Sequence, residues 1–225
     1  MMRISGKTAM LPALRRASQG ALVLAAVAAV AAVALSGCST LQPAAGTGTS
    51  SSGSAREYRQ AIDVSGRLSL RYQQDGKQQA VYGSFTWSQS RQETAITLLS
   101  PLGQTLATIN IGAGQATLQQ AGQPPRIASD VDALTVQALG WPLPIAGLRD
   151  WLQGFGEDAG GRRFTAIPNA DDSFSVTTAD QWQIQYSNWQ ESGAESYPKR
   201  IDLTRNTAQA GEVAIRIAIS SRQSH

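Results

Sequence analysis

Few residues of this 225-residue chain are spaced for covalent or metal chemistry. His225 is the sole histidine and the last residue, so the chain cannot assemble a Ser-His-Asp or Cys-His nucleophile pair. The same count removes any metal site that needs two imidazoles. Asp171 and Asp172 are adjacent, and neighbours on one strand or turn point apart, so a solvated turn is expected rather than an acid–base pair. Gly112-Ala113-Gly114 falls between two strand-like runs instead of opening a helix, which is not the context of a phosphate loop. Gly160-Gly161-Arg162-Arg163 is expected to be a loop with two exposed charges, a phospholipid-headgroup contact being the alternative. Neither an enzyme nor a metal or organic cofactor is expected.

The one cysteine, Cys38, has a different context. Arg3, Lys7, Arg15 and Arg16 form a basic stretch, Ala21 to Leu35 is unbroken apolar sequence, and Leu35-Ser36-Gly37-Cys38 follows. Fifteen alanine-rich residues are short for a membrane span, so a retained anchor is the weaker alternative to a cleaved leader. The tetrapeptide resembles a bacterial lipobox, which implies cleavage before Cys38 and acylation of its sulfur and new amino group. Ser39, in place of aspartate, points such a lipoprotein to the outer membrane, anchored at Cys38 and facing the periplasm. Removing residues 1–37, with four basic and no acidic side chains, takes the formal charge from +3 to −1. The basic balance therefore belongs to the leader, and no nucleic-acid partner is expected. Without a second cysteine the fold has no disulfide and must stand on packing.

Residues 38–57 are mostly Ser, Thr, Gly, Ala, Gln and Pro, a composition that buries too little to become ordered and reads as a tether. About 17 such residues have an rms reach on the order of 20–25 Å. Residues 58–225 then form one domain dominated by period-two patterning. Ile62, Val64, Leu68, Leu70 and Tyr72 share a face, with Gly66 at a bend and Asp75-Gly76 at a turn. Val81, Gly83, Phe85 and Trp87 continue it, and Ile96 and Leu98 lead into Ser100-Pro101-Leu102-Gly103. In the middle, Ser129-Asp130-Val131-Asp132 resembles a helix start with Ser129 as the N-cap, and Gly140 ends that helix. Pro144 suits the first turn of a second helix reaching toward Gly154. Strands resume, Phe174 and Val176 pairing across Ala179-Asp180 with Trp182, Ile184 and Tyr186, and the last alternates at Val213, Ile215, Ile217 and Ile219. The fold class is α+β: nine to eleven antiparallel strands around a short helical insert.

Two features need a partner of some kind. Leu102 stands at the tip of a turn, where polar residues are usual; it either folds back on its own hairpin or is held out for a membrane or a protein. Five tryptophans share strand and helix faces with aliphatic residues, which makes either a filled core or the wall of an apolar cavity.

Gly66-Arg67-Leu68, Phe85-x-Trp87, Ser100-Pro101-Leu102-Gly103, Leu139-Gly140-x-Pro142-Leu143-Pro144, Leu148-x-x-Trp151-Leu152-x-Gly154 and Trp182-x-x-x-Tyr186 occur here in the order found in the LolB family. Behind a lipobox, that ordered set resembles LolB over nearly all of residues 58–222. The resemblance implies an incomplete antiparallel β-barrel of about eleven strands under a helical lid, with a hydrophobic cavity for acyl chains. It implies a protruding loop, here Pro101, Leu102 and Gly103, that places cargo in the membrane. By position it gives cavity roles to Trp87, Trp151 and Trp182, and Phe85, Leu98, Ile109, Leu134, Trp141, Leu148 and Tyr186 are further candidates. The partners implied are the periplasmic carrier LolA, acylated lipoprotein cargo and outer-membrane phospholipid, with the protein acting as a monomer and without ATP. Two rival classes are a binding protein for another amphiphile, such as a phospholipid or glycolipid, and a structural envelope lipoprotein with a filled core.

Overall fold

Alternating apolar and polar residues build most of the molecule, because such segments bury one face and solvate the other. The structure is a computed structural model describing residues 56–141, 143–190, 196–208 and 210–225. The leader, Cys38, the tether as far as residue 55, and Pro142 lie outside the described residues. The elements run β1 (Ile62–Gln74), β2 (Lys77–Gln89), β3 (Thr94–Leu99), β4 (Thr105–Gly112), β5 (Gln115–Gln120), β6 (Arg126–Ala128), α1 (Val131–Leu139) and α2 (Ile145–Trp151). They continue with β7 (Phe155–Glu157), β8 (Arg163–Thr165), β9 (Ser173–Thr177), β10 (Gln183–Gln190), β11 (Tyr197–Thr207) and β12 (Gly211–Ser224).

Ten strands make one open antiparallel sheet in the order β6-β5-β4-β3-β2-β1-β12-β11-β10-β9, and β7 pairs with β8 in a separate hairpin. The fold is thus an α+β incomplete barrel of ten strands with a separate two-stranded hairpin, twelve strands in all against the nine to eleven expected. The additional ones are three residues long, too short for alternation to show in the sequence. The sheet bends where anticipated: the β1–β12 register shifts between Ser65 and Gly66. Any Cβ at residue 66 would collide with the Ala218 carbonyl, so glycine permits the close approach.

The inner face carries Ile62, Val64 and Leu70 of β1, Phe85 and Trp87 of β2, Ile96 and Leu98 of β3, Ile109 of β4, and Ile215, Ile217 and Ile219 of β12, all buried. Each such side chain contributes on the order of 1.5–3 kcal/mol on burial. Helix α1 packs against β5 and β6, and α2 against β7. The N-cap of α1 is Asp130, not Ser129: its Oδ1 accepts from the amides of Asp132 (2.9 Å) and Ala133 (3.0 Å). A carboxylate one residue closer to the helix satisfies two orphan N–H groups and meets the positive end of the dipole. Gly140 ends α1 at φ 79° and returns its N–H to the Val136 carbonyl. Pro144 is the N-cap of α2 rather than a first-turn residue.

Candidate functional site

The helical cover is fastened by polar groups along its rim and is apolar beneath. At the α1–α2 corner, Thr135 Oγ1 donates to the Asp132 carbonyl at 2.8 Å and accepts from the Leu143 N–H at 3.2 Å. Asp132 Oδ1 accepts from the Ala146 N–H at 3.0 Å, joining α1 to the first turn of α2. Burial raises the Asp132 pKa above the ordinary carboxylate value, and that amide bond offsets only part of the shift. On the far side of α2, Arg149 donates through Nη1 to Thr94 Oγ1 (2.7 Å) and through Nη2 to the Ser90 carbonyl (2.5 Å). It thereby ties the helix to the β2–β3 turn. Past the C-terminus of α2, the Gln153 amide exchanges two 3.0 Å hydrogen bonds with the backbone of Arg59.

Between α2 and the sheet lies an apolar hollow of about 20 Å³, lined by Leu68, Phe85, Trp87, Ile96, Leu98, Leu143, Ile145, Leu148, Leu152 and Ile217. That is room for about one water molecule. Of the ten apolar candidates, Phe85, Trp87, Leu98 and Leu148 line this hollow. Ile109, Leu134 and Trp141 are buried in the surrounding core, and Trp182 and Tyr186 are buried toward β10. Trp151 is also buried and borders a separate, open cleft of about 870 Å³. That cleft mixes Tyr58, Phe155 and Phe164 with Asp150, Glu157, Asp180 and Arg163, a lining too polar for acyl chains. Leu68, Ile96, Leu143, Ile145, Leu152 and Ile217 line the hollow but were not singled out by sequence. Strand register could have found one pair, since Leu68 lies directly opposite Ile217.

Across β8, β9 and β10, an aromatic ladder runs from Phe164 through Phe174 and Tyr186 to Trp189, with centroids 5.8 to 6.2 Å apart. The Arg56 guanidinium stacks on Trp189 at 4.6 Å and donates to the Ala166 carbonyl. Burial and the neighbouring Arg222 charge lower its pKa to about 10. Burial pushes the Tyr186 phenol well above the usual phenol range. Among the described residues, its hydroxyl, Trp189 Nε1 and Arg56 Nη1 are buried without a hydrogen-bond partner.

The second part of the site is the β3–β4 turn. Ser100 organises it: its N–H donates to the Gln104 carbonyl (2.8 Å) and its carbonyl accepts from the Gly103 N–H (2.9 Å). Its Oγ accepts from the amides of Leu102 (3.3 Å) and Gln104 (3.2 Å). Gly103 adopts φ 81°, which glycine takes without strain. The amides of Leu102, Gly103 and Gln104 converge on Ser100, and Leu102 is left 89% exposed, so it does not fold back on its hairpin.

Residues 60–221 match the family described as "Outer membrane lipoprotein LolB". The chain belongs to the LolB family. It is 36% identical over 176 residues to the outer-membrane lipoprotein LolB of Cupriavidus pinatubonensis, covering 76% of this chain and 81% of the relative. It is 37% identical over 200 residues to that of Ralstonia nicotianae, covering 85% and 90%. Among solved structures, a LolA superfamily protein from Nitrosomonas europaea overlays with a TM-score of 0.41 at 10% identity, over 76% of this chain and 88% of that one. The family assignment rests on the sequence matches: the protein is an outer-membrane lipoprotein of the lipoprotein-sorting system.

Proposed function

We propose that the protein accepts acylated lipoproteins from the carrier LolA beneath α2 and inserts them into the inner leaflet of the outer membrane without ATP. The observation that carries this reading is the contrast between the helical cover's polar rim and its wholly apolar underside, closed down to about 20 Å³. A covered face of this kind opens by breaking rim hydrogen bonds, and it then presents an aliphatic and aromatic surface whose one polar side-chain atom, Trp87 Nε1, already donates to Gln89 Oε1. Dispersion and burial are blind to the cargo's sequence, which suits a receptor that serves many lipoproteins.

Each methylene moved out of water is worth about 0.8 kcal/mol, so three chains of about 15 methylenes represent on the order of 35 kcal/mol. Cargo therefore passes from one apolar face to another rather than through water. Direction comes from graded affinity, with the carrier weakest and the bilayer strongest. Burying Leu102 yields about 1.5–3 kcal/mol, too little to anchor a domain that Cys38 already anchors. It is enough to orient the cover toward the membrane, so Leu102 acts in delivery. Leu102→Glu is expected to accept cargo from the carrier at the normal rate and to fail in releasing it into liposomes. Normal delivery by that variant removes the role from the loop.

A further inference from the structure

The outer face of the sheet carries four arginines on three neighbouring strands. Arg67 and Arg71 of β1 are exposed and lie opposite small residues on both sides: Ser84 and Ala218 for the first, Ala80 and Ala214 for the second. Among the described residues neither forms a salt bridge. Arg216 of β12 lies opposite Ser69 and Asp202, and Arg200 of β11 lies opposite Ala218. Asp202 accepts from Nε of Arg200 and Nε of Arg216, each at 2.6 Å, so one carboxylate is shared by two guanidinium groups. Glu212 bounds the patch on β12, two residues beyond Ala214. A shallow depression of about 390 Å³ on this face is bordered by Arg71, Tyr82, Arg200, Asp202 and Arg216.

The strand register places this basic patch at the level of the Leu102 turn. Leu99, where β3 ends, is opposite Ser84, and Ser84 is opposite Arg67. The turn projects past that level, where the next outward row is Tyr82, Ser69 and Arg216. Tyr82 is 59% exposed and Leu106, just beyond the turn, is 43% exposed. Exposed apolar side chains, an exposed tyrosine and bare arginines at one level are the composition of a surface that rests in the headgroup region of a bilayer.

We infer that the outward face of β1, β2, β11 and β12 is a membrane-contact surface whose arginines take the phosphates of anionic phospholipids, setting the angle at which the Leu102 turn meets the bilayer. This rests on the proposed membrane role of Leu102. Charge complementarity selects the occupant: four arginines answer to Asp202 within the patch and Glu212 at its edge, and the chain is lipid-anchored to a phospholipid leaflet. Once the domain is seated there, the tether has only to hold it near the surface, and the arginines decide which way it faces.

The test uses the mature chain from residue 38 with Cys38→Ala, so that no acyl anchor masks weaker contacts. Binding is measured by flotation with vesicles of phosphatidylglycerol and phosphatidylcholine, and with phosphatidylcholine alone. The native sequence should bind the anionic vesicles more tightly and lose that advantage as salt rises. Each exposed arginine contributes about fivefold, so Arg67→Gln with Arg71→Gln should weaken anionic-vesicle binding about 30-fold. Equal binding by that variant overturns the inference. So does normal vesicle binding combined with failure to receive cargo, which would make the patch a dock for an acidic protein. Leu102→Glu separates the two readings. If it delivers cargo at the normal rate while the arginine variant loses salt-dependent binding, the basic face stands and the loop assignment fails; if it fails in delivery while the arginine variant binds vesicles normally, the loop stays and the face is discarded.

Discussion

Arg149→Ala tests whether the closed cover is what keeps the apolar face empty. The side chain makes two short hydrogen bonds, to Thr94 Oγ1 at 2.7 Å and to the Ser90 carbonyl at 2.5 Å, and a marginal one to the Arg91 carbonyl at 3.4 Å. Hydrogen bonds to a charged group are worth about 1.5–3 kcal/mol each when shielded, and about 1 kcal/mol each where water can compete, as at this rim. Losing the pair should therefore weaken the closed cover by about 2 kcal/mol, a shift of about 30-fold toward the open form. If the open form is the binding-competent one, the apparent Kd falls by the same factor. Equilibrium titration with a fluorescent fatty acid reads this directly, with a denaturant midpoint measured alongside. The expected result is tighter probe binding together with a modest loss of stability. A variant that loses about 2 kcal/mol of stability and binds the probe no better than the native chain refutes the reasoning: the bonds would then hold the fold but not the cover.

Gly147→Ala acts on the same helix from its other side, because a Cβ there would overlap the Trp151 indole. It should cost about 1–3 kcal/mol by overpacking and shift the intrinsic fluorescence as the ring is displaced; an unchanged melting temperature counts against the packing. Tyr186→Phe removes a buried hydroxyl with no partner among the described residues, so the variant should be about 1 kcal/mol more stable at neutral pH by chemical denaturation. The folded protein holds the Tyr186 phenol protonated above its ordinary pKa near 10, whereas the unfolded chain releases that proton. The native chain therefore loses stability relative to Tyr186→Phe as pH rises above about 10, by up to about 1.4 kcal/mol per unit. Arg56, with its pKa lowered to about 10, contributes the opposite slope in that window, so the comparison is the difference between native and Tyr186→Phe chains at each pH. A difference that stays constant from pH 8 to about pH 11 rejects the buried, proton-retaining phenol.

Long elements with a clean period were legible from sequence, and short or tertiary ones were not. Asp75-Gly76 closes the β1–β2 hairpin in the register that alternation dictates, with Leu70 opposite Val81. The Phe174–Tyr186 and Val176–Ile184 pairings likewise follow from two faces meeting across Ala179-Asp180. The three-residue strands β6, β7 and β8 carried too little pattern to be found. Capping of α1 moved from Ser129 to Asp130 because both are good caps and only the backbone decides which oxygen reaches the free amides. For the site, the exposure of Leu102 was foreseeable from its odd placement in a turn, but the choice between held out and folded back depended on Ser100 gathering the loop's amides. Which aromatics face the hollow was not legible: Trp87 and Trp182 are both buried and aromatic, and they differ only in which part of the inner face they cover. The stacking of Arg56 on Trp189 joins residues far apart in sequence, with no local signal to announce it.

Every pairing in the ten-stranded sheet joins neighbours along the chain except one, the seam between β1 and β12. The sheet is two meanders sewn together by its first and last strands, Ile62 opposite Ser224 and Leu70 opposite Ile215. A polypeptide that arrives N-terminus first must therefore hold β1 with one edge unmatched until the final strand is delivered. Local hairpins can flicker into being early, but the long-range closure comes last and sets the pace of folding. Until then the unmatched edge of β1 is open to stray strands or to a holding chaperone.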